Sequence, residues 1–386
     1  MTAVKQIIVD AVDDRKSELT AIAAELFHNP ETGLGEFKTS ALLSDKLAVS
    51  GFRIERGISG MATAFRAAWG TGSPAIAILA EMDALPALGQ ACGHNIIAAA
   101  AIGAALALRQ ALPEDAATIV VLGTPAEELG IGKFELIRHG AFDRVDFAMM
   151  VHPSSRRQVI KMSLGLARIR FTFLGRAAHA SAYPEEGINA LDAVLLTFNG
   201  INALRQQLRQ DVRVHGIITE GGTAPNLVPE RASCYFYVRA EESAELLRAL
   251  ERVKNCARGA AEATGCGLEM DADERVLAPM KVNRAFSALY SEQLAFLGLN
   301  EAHAPADRNR GSSDIGNVSQ VVPTIHPHVP IGPGLHIHTE AFARATVSPQ
   351  GQEAVVEGAK ALALTAAALA SSAETREKIL NEFRLF

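Results

Sequence analysis

Three continuous apolar runs constrain the fold of this chain more than any other feature. They are Pro74-Ala-Ile-Ala-Ile-Leu-Ala-Glu81, Ala117-Thr-Ile-Val-Val-Leu-Gly123 and Asp146-Phe-Ala-Met-Met-Val151. A strand with one face in water alternates apolar and polar residues. A strand covered on both faces does not, and that is the habit of parallel sheets under helices. Helical periodicity fills much of the remaining first half: Val4, Ile8, Val12, Leu19, Ile22 and Leu26 across 3–28, then stretches over 36–49, 95–111 and up to about 139. Strand, loop and helix in alternation imply right-handed crossovers and a sheet with helices on both faces. Residues 52–56 and 61–67 alternate like further strands.

Each run stops at a chemical group. The first ends in Glu81-Met82-Asp83, the second reaches Glu127-Glu128, and the third meets His152-Pro153. In open α/β sheets, ligands collect at the carboxyl ends of the strands. Two adjacent carboxylates are costly unless both point into water or share a site with a cation. Ala91-Cys92-Gly93-His94-Asn95 sets a thiol and an imidazole two residues apart at the start of the 95–111 helix. Seven of the eleven histidines (94, 152, 179, 326, 328, 336 and 338) fall at strand ends or in polar loops. Thiol, imidazole and carboxylate together suit a borderline divalent metal such as zinc, manganese or cobalt. One glutamate of the pair can then bind metal while its neighbour shuttles protons. The chemistry implied is attack of a metal-bound hydroxide on a polarised carbon. For Asp83 and Asn95, helix capping is the competing role.

The pattern changes at about 164. A strand at 164–175, a helix at 187–209, strands at 214–220 and 232–239, a helix at 241–264 and a strand at 266–272 make the split βαβ order, β-α-β-β-α-β. The α/β pattern then resumes with a helix at 283–297 and a polar loop at 301–311. Gly311-Ser-Ser-Asp314 reads as a helix start. A strand at 321–326, His326-Pro-His328, a Gly/His loop through 332–340 and an Ala/Leu helix at 349–371 complete the chain. The expected fold is therefore α/β: a catalytic domain with a mostly parallel sheet flanked by helices, built from 1–164 and 276–386, with an inserted ferredoxin-like βαββαβ domain over 165–275.

Composition excludes several classes of partner. The 386 residues carry a net charge of −6 without a long basic run, which argues against nucleic acid. No charge-free apolar run reaches 18 residues, so no membrane partner is expected. The first residues lack the apolar core of a signal peptide, and the expected location is the cytoplasm. Cys92, Cys234, Cys256 and Cys266 are not spaced as a zinc ribbon or a redox pair and are expected to be reduced.

The ordered motifs carry a resemblance. Ala80-Glu-Met-Asp-Ala-Leu-Pro86, Ala91-Cys-Gly-His-Asn95, Gly123-Thr-Pro-Ala-Glu-Glu128, His152-Pro153 and Gly175-Arg-Ala-Ala-His-Ala-Ser181 are in the first half. Glu186-Gly-Ile-Asn-Ala-Leu-Asp192, Pro225-Asn-Leu-Val-Pro229, Gly311-Ser-Ser-Asp-Ile-Gly-Asn-Val318 and His338-Thr-Glu340 follow. Over nearly the whole length the chain resembles the aminoacylase-like dimetal amidohydrolases and metallopeptidases, whose members include hippurate, indole-acetyl-amino-acid and aminobenzoyl-glutamate hydrolases. The resemblance implies that Cys92, His94, Glu128, His152 and His338 are metal ligands, with His336 the less favoured alternative to His338. It implies Glu127 as general base and Asp83 as an acid that orients a ligand. His179, on the inserted lid and dimerisation domain, would be offered to the partner's active site of a homodimer or larger oligomer to stabilise an oxyanion. Asn226 would hold substrate. Many relatives carry Asp where this chain has Glu81, and Asp where it has Asn95. The longer Glu81 is thus a candidate metal ligand or ligand-positioning group. His326 and His328 have no carried-over role and are candidates for substrate contact.

The implied cofactor is one or two divalent ions, manganese or zinc or else cobalt. The implied activity is hydrolysis of a C–N bond, namely the amide of a small, carboxylate-bearing N-acyl amino acid, aminobenzoyl-glutamate-like conjugate or dipeptide. Two alternatives stand beside it. The same site could act as an aminohydrolase, releasing ammonia from an amino-aromatic acid or amidine. A non-catalytic metal-binding relative would have lost its base or a ligand, whereas every expected position here is filled.

Overall fold

The three apolar runs become neighbouring strands of one sheet. The computed structural model describes residues 2–301 and 310–385. These divide into two units: one takes the described residues up to Met162, from Met280 to 301 and from Ser313 on, the other Ser163–Pro279 with Arg310–Ser312. In chain order the first unit supplies β1 (Arg53–Arg56), β2 (Phe65–Trp69), β3 (Ala75–Glu81), β4 (Thr118–Thr124), β5 (Phe147–Met149) and β6 (His152–Ser154). The second supplies β7 (Gly165–Leu174), β8 (Arg213–Glu220), β9 (Arg231–Ala240) and β10 (Gly267–Ala272), and the first resumes with β11 (Thr324–Ile325) and β12 (His328–Pro330).

In the first unit the main sheet runs β1-β2-β4-β3-β5-β11. The β4-β3-β5-β11 portion is parallel, while β1 and β2 join it antiparallel. The absence of alternation in the central runs has a direct cause. Ile76, Ile78, Ala80, Ile119 and Val121 enter one core, with Ile102 and Leu362. Ala77, Leu79, Val120 and Leu122 enter another, with Leu136, Ile315 and Val318. Both faces are covered, so both parities must be apolar. The helix His94–Ala111 is buried at every position from His94 to Leu108 and packs against Pro349–Ser371. The latter is long and apolar enough to cross a membrane by length and composition, but it is largely buried inside this unit. A helix apolar all round is a core helix here.

Two local expectations change, and a third falls largely outside the described residues. The helical pattern at 3–28 is two helices, Thr2–Asp13 and Lys16–His28. The chain turns at the polar run Asp13-Asp14-Arg15, and the Arg15 side chain donates back to the Ala11 carbonyl. The strand expected at 321–326 shortens to β11, because the helix Ile315–Val321 uses the first of those residues. Of the polar loop expected at 301–311, residues 302–309 lie outside the described residues.

The second unit has the βαββαβ order read from the sequence. Its antiparallel sheet runs β10-β7-β9-β8. Ile169, Phe171, Phe173, Cys234 and Phe236 share a core with Ala193, Val194, Val253 and Ala257 of the helices Ala190–Leu204 and Ser243–Thr264. Asn189 caps the first helix by accepting from the Leu191 N–H. β8 is an edge strand with Ile217 and Ile218 exposed.

Candidate metal centre and active site

Two buried carboxylates hold the backbone of the glutamate pair. β3 delivers Glu81 and, just beyond its end, Asp83, both 1% exposed. Asp83 accepts the Glu127 N–H through Oδ1 at 3.1 Å and the Glu128 N–H through Oδ2 at 3.0 Å. The preceding Ala126 has φ +55°, a conformation that costs an L-residue about 1 kcal/mol or more. It is held there by Glu36, whose Oε1 accepts the Ala126 N–H at 2.8 Å while Oε2 takes the Thr63 hydroxyl at 2.9 Å. Glu36 is fully buried, and burial raises its proton affinity. Sequence reasoning missed it: a lone acid after Gly33-Leu34-Gly35, at the start of the helix Phe37–Val49, reads as a solvated cap. Asp83 therefore sits not as a helix cap but as the acceptor that aims Glu127 and Glu128. Asn95 is no cap either, because its side-chain amide donates to Ala23 O and Thr346 Oγ1.

The Cys-Gly-His turn sits against the end of the third run. Gly93 has φ +85°, and a Cβ there would lie 2.4 Å from Pro153 Cγ, so the turn requires glycine. Cys92 Sγ lies 3.5 Å from His152 Nε2. His152 donates from Nδ1 to the Pro153 carbonyl at 2.8 Å, and His94 from Nδ1 to the Asp83 carbonyl at 2.7 Å. Each imidazole thus has one nitrogen committed and the other, Nε2, free to face inward, the usual arrangement of metal-ligating histidines. His94 Nε2 is 3.2 Å from Glu81 Oε2 and 4.0 Å from Glu127 Oε2. His338 Nε2 is 3.5 Å from Glu128 Oε2, with the His338 N–H anchored on the Ala91 carbonyl.

The electrostatics separate the two glutamates. Burial opposes ionisation of Glu128, but its hydrogen bond from His338 prevails and its proton affinity falls. Burial, then the Glu81 and Asp314 carboxylates, raise that of Glu127. Adjacent acids pushed in opposite directions are a mark of divided acid–base roles. Burial works against a charged His94, yet Glu81 raises its proton affinity. Burial lowers that of His152 and pushes the Cys92 thiol well up.

These residues fit a divalent metal. Cys92, His94 and His152 place ligand atoms within 4.8 Å of one another, as do Cys92, Glu128 and His338, and His94, Glu127 and Glu128. That spacing matches ligand bonds of about 2.0–2.3 Å to a shared ion. Glu81 Oε2, His94 Nε2 and Glu128 Oε1 are buried with no hydrogen-bond partner. An unpaired buried polar atom costs about 1–3 kcal/mol. A free imidazole nitrogen opposite carboxylate oxygens is the arrangement a cation resolves.

The other candidates are distributed as follows. Glu81 gives Oε1 to the Lys133 ammonium at 2.6 Å and turns Oε2 toward His94. Lys133, fully buried in the helix Gly132–Arg138, was missed at the sequence level, where it reads as a loop charge. Asp314, expected at a helix start, makes no side-chain cap bond and instead takes Lys133 Nζ at 2.5 Å. The parallel register pairs His328 of β12 with His152 of β6, which stacks their rings at 5.2 Å, and His326 meets His152 edge-on at 5.4 Å. His326 and His328 are buried beside the ligand cluster, each with one unpartnered nitrogen. His336 is exposed and joins none of the ligand groups found among the described residues. In the second unit, His179 and Asn226 are exposed on adjoining loops, tied by the Ala180 N–H to the Asn226 carbonyl.

A parallel α/β sheet whose strand ends gather Cys, His and paired Glu defines a metal-dependent hydrolase. Comparison with known proteins gives the family. Residues 162–264 match the M20 peptidase dimerisation domain. The chain is 36% identical over 396 residues to the mouse Xaa-Arg dipeptidase, covering 98% of this chain and 92% of that protein. It is 31% identical to one of the two p-aminobenzoyl-glutamate hydrolase polypeptides of Escherichia coli, over 83% of this chain and 73% of that protein. Among solved structures, a dinuclear metal-binding peptidase of the M20 family from Bacillus subtilis shares the fold, with a TM-score of 0.71 at 20% identity, covering 91% of this chain and 98% of that one. The chain belongs to the M20 family of metallopeptidases and amidohydrolases, and it is a metal-dependent amidohydrolase.

Proposed function

We propose that this chain hydrolyses the amide bond of a dipeptide or N-acyl amino acid, with Glu127 as general base. The observation that carries the reading is the turn at 126–128. Asp83 and Glu36 fix its backbone so that Glu128 faces Cys92 and His338 while Glu127 faces His94. Cys92, His94, Glu128, His152 and His338 would hold one or two divalent ions, with manganese or zinc suited to this mixed donor set. When bound, such an ion polarises a carbonyl and activates water.

The chain's own residues supply the rest. Glu127 takes the proton of the attacking water and returns it to the leaving amine nitrogen. Glu127 holds that proton between the two steps. Asp83 and Glu36 keep the carboxylate on the reacting side. His179 would be offered to the partner's active site to stabilise the oxyanion, and Asn226 would help hold the substrate. We assign a homodimer to this chain, supported by the match to a dimerisation domain and by the exposed edge strand β8. Similarity to the Xaa-Arg dipeptidase makes a dipeptide with a basic C-terminal residue the first substrate to test, and aminobenzoyl-glutamate the second.

The test is a panel of Xaa-Arg, Xaa-Lys and Xaa-Glu dipeptides, N-acyl amino acids and aminobenzoyl-glutamate, offered to protein loaded with manganese or zinc. Amine release from an amide is the expected result, with Glu127→Gln lowering kcat by at least about 10²–10⁴-fold at unchanged metal content. Ammonia release from amino-aromatic acids without amide cleavage would replace this reading. Full activity in Glu127→Gln would remove the base assignment.

A further inference from the structure

Lys133 is a positive charge with no exposed surface, and the steps above give it no contact with substrate. Taking an ammonium out of water costs several kcal/mol unless it is paired and hydrogen-bonded. It is both. Nζ lies 2.6 Å from Glu81 Oε1 and 2.5 Å from Asp314 Oδ1, and the Lys133 backbone N–H donates to Asp314 Oδ2 at 3.0 Å. Its helix is brought in by Gly132, where a Cβ would overlap the Pro125 carbonyl just before the glutamate turn.

The consequence falls on Glu81. One of its oxygens is committed to Lys133. The other, Oε2, is buried, has no hydrogen-bond partner and lies 3.2 Å from His94 Nε2. With its Nδ1 committed to the Asp83 carbonyl, His94 presents a lone pair there, and Nε2 is itself buried and unpartnered. Two electron-rich atoms at that distance repel unless a proton or a metal ion lies between them. Lys133 cannot serve, because it is engaged on the opposite oxygen.

We propose that Lys133 is a positioning residue of the metal centre: with Asp314 it clamps one oxygen of Glu81 so that the other, alone, ligates the ion held by His94. Glu81 thereby becomes a sixth ligand beside Cys92, His94, Glu128, His152 and His338. A glutamate is long enough to bridge lysine and ion in this way. This rests on the metal-centre reading above, not on the substrate.

The experiment reads metal retention with no substrate present. Manganese or zinc stoichiometry is measured by elemental analysis, and affinity by competition with a chromogenic chelator. Glu81→Gln keeps the shape and can still accept from Lys133. The double variant Lys133→Met with Asp314→Asn removes the clamp, so that neither oxygen of Glu81 is held by an ammonium. Both are expected to bind at least one ion about 10–100-fold more weakly, the usual loss when the partner of a ligand is removed, with the metal-free circular dichroism unchanged. Wild-type affinity and stoichiometry in folded Glu81→Gln would overturn the ligand, and in the folded double variant the clamp. If the double variant does not fold, Lys133→Gln alone takes its place, and wild-type affinity there overturns the clamp. A wild-type protein that binds its ions as described but cleaves no amide would overturn the substrate reading and leave this one standing.

Discussion

Replacing Asp83 by Asn should loosen the catalytic turn without changing side-chain volume. The carboxylate accepts two backbone N–H groups, one on each oxygen, at 3.1 and 3.0 Å. It is 1% exposed, so no water replaces a lost bond. A hydrogen bond to a charged group contributes about 1.5–3 kcal/mol, a neutral one about 1, and a buried donor left unpaired costs about 1–3. Asn can accept from only one of the two N–H groups, and its own NH₂ then faces the other donor. The expected loss is about 2–4 kcal/mol, partly relieved if the turn shifts. Since Glu127 and Glu128 hang from that turn, the shift should also weaken metal binding by about 10–100-fold. Urea unfolding of metal-free protein, with tryptophan fluorescence at Trp69 of β2, reports the first unit separately from the inserted one, which avoids treating a two-unit chain as a single transition. Chelator competition reports the metal. A variant within about 0.5 kcal/mol of wild type, with unchanged metal affinity, would refute the claim that Asp83 holds the turn.

Three further outcomes follow from the site. Cys92→Ala should lower metal content by elemental analysis, and unchanged stoichiometry would mean that Cys92 only packs. Mixed dimers of a His179→Ala subunit with a Glu127→Gln subunit should regain part of the activity each parent lacks; proven mixed dimers with no such gain would place His179 outside any shared site. Burial depresses His326 from 6.5 to about 3 and lowers His328 as well, so both fold neutral and take up protons only on unfolding. With folded values depressed, their contribution is complete above about pH 6.5 and drains away as pH falls toward 3. Metal-free protein should therefore lose up to about 2 kcal/mol per histidine between about pH 6.5 and 5. His326→Gln should flatten that slope in thermal melts, and an unaltered slope would contradict it.

The sheet and the ligand types were legible in the sequence because they rest on local patterns. Continuous apolar runs mark doubly covered strands, and the groups at their ends, Glu81, Asp83, Glu127, Glu128 and His152, are where such a sheet puts ligands. Cys92 and His94 carry their own spacing. The supports of the site were not legible. Glu36 reaches Ala126 across 90 positions, Lys133 reaches Glu81 across 52, and Asp314 reaches Lys133 across 181. Nothing local distinguishes them from solvated charges, since Lys and Glu are almost never fully buried unless paired. Asp314 even sits where a helix cap belongs. The pairing that makes burial tolerable exists only once the chain has folded. The kinds of group at the centre were therefore set by sequence, while tertiary structure alone decided which charges are buried and what each one holds.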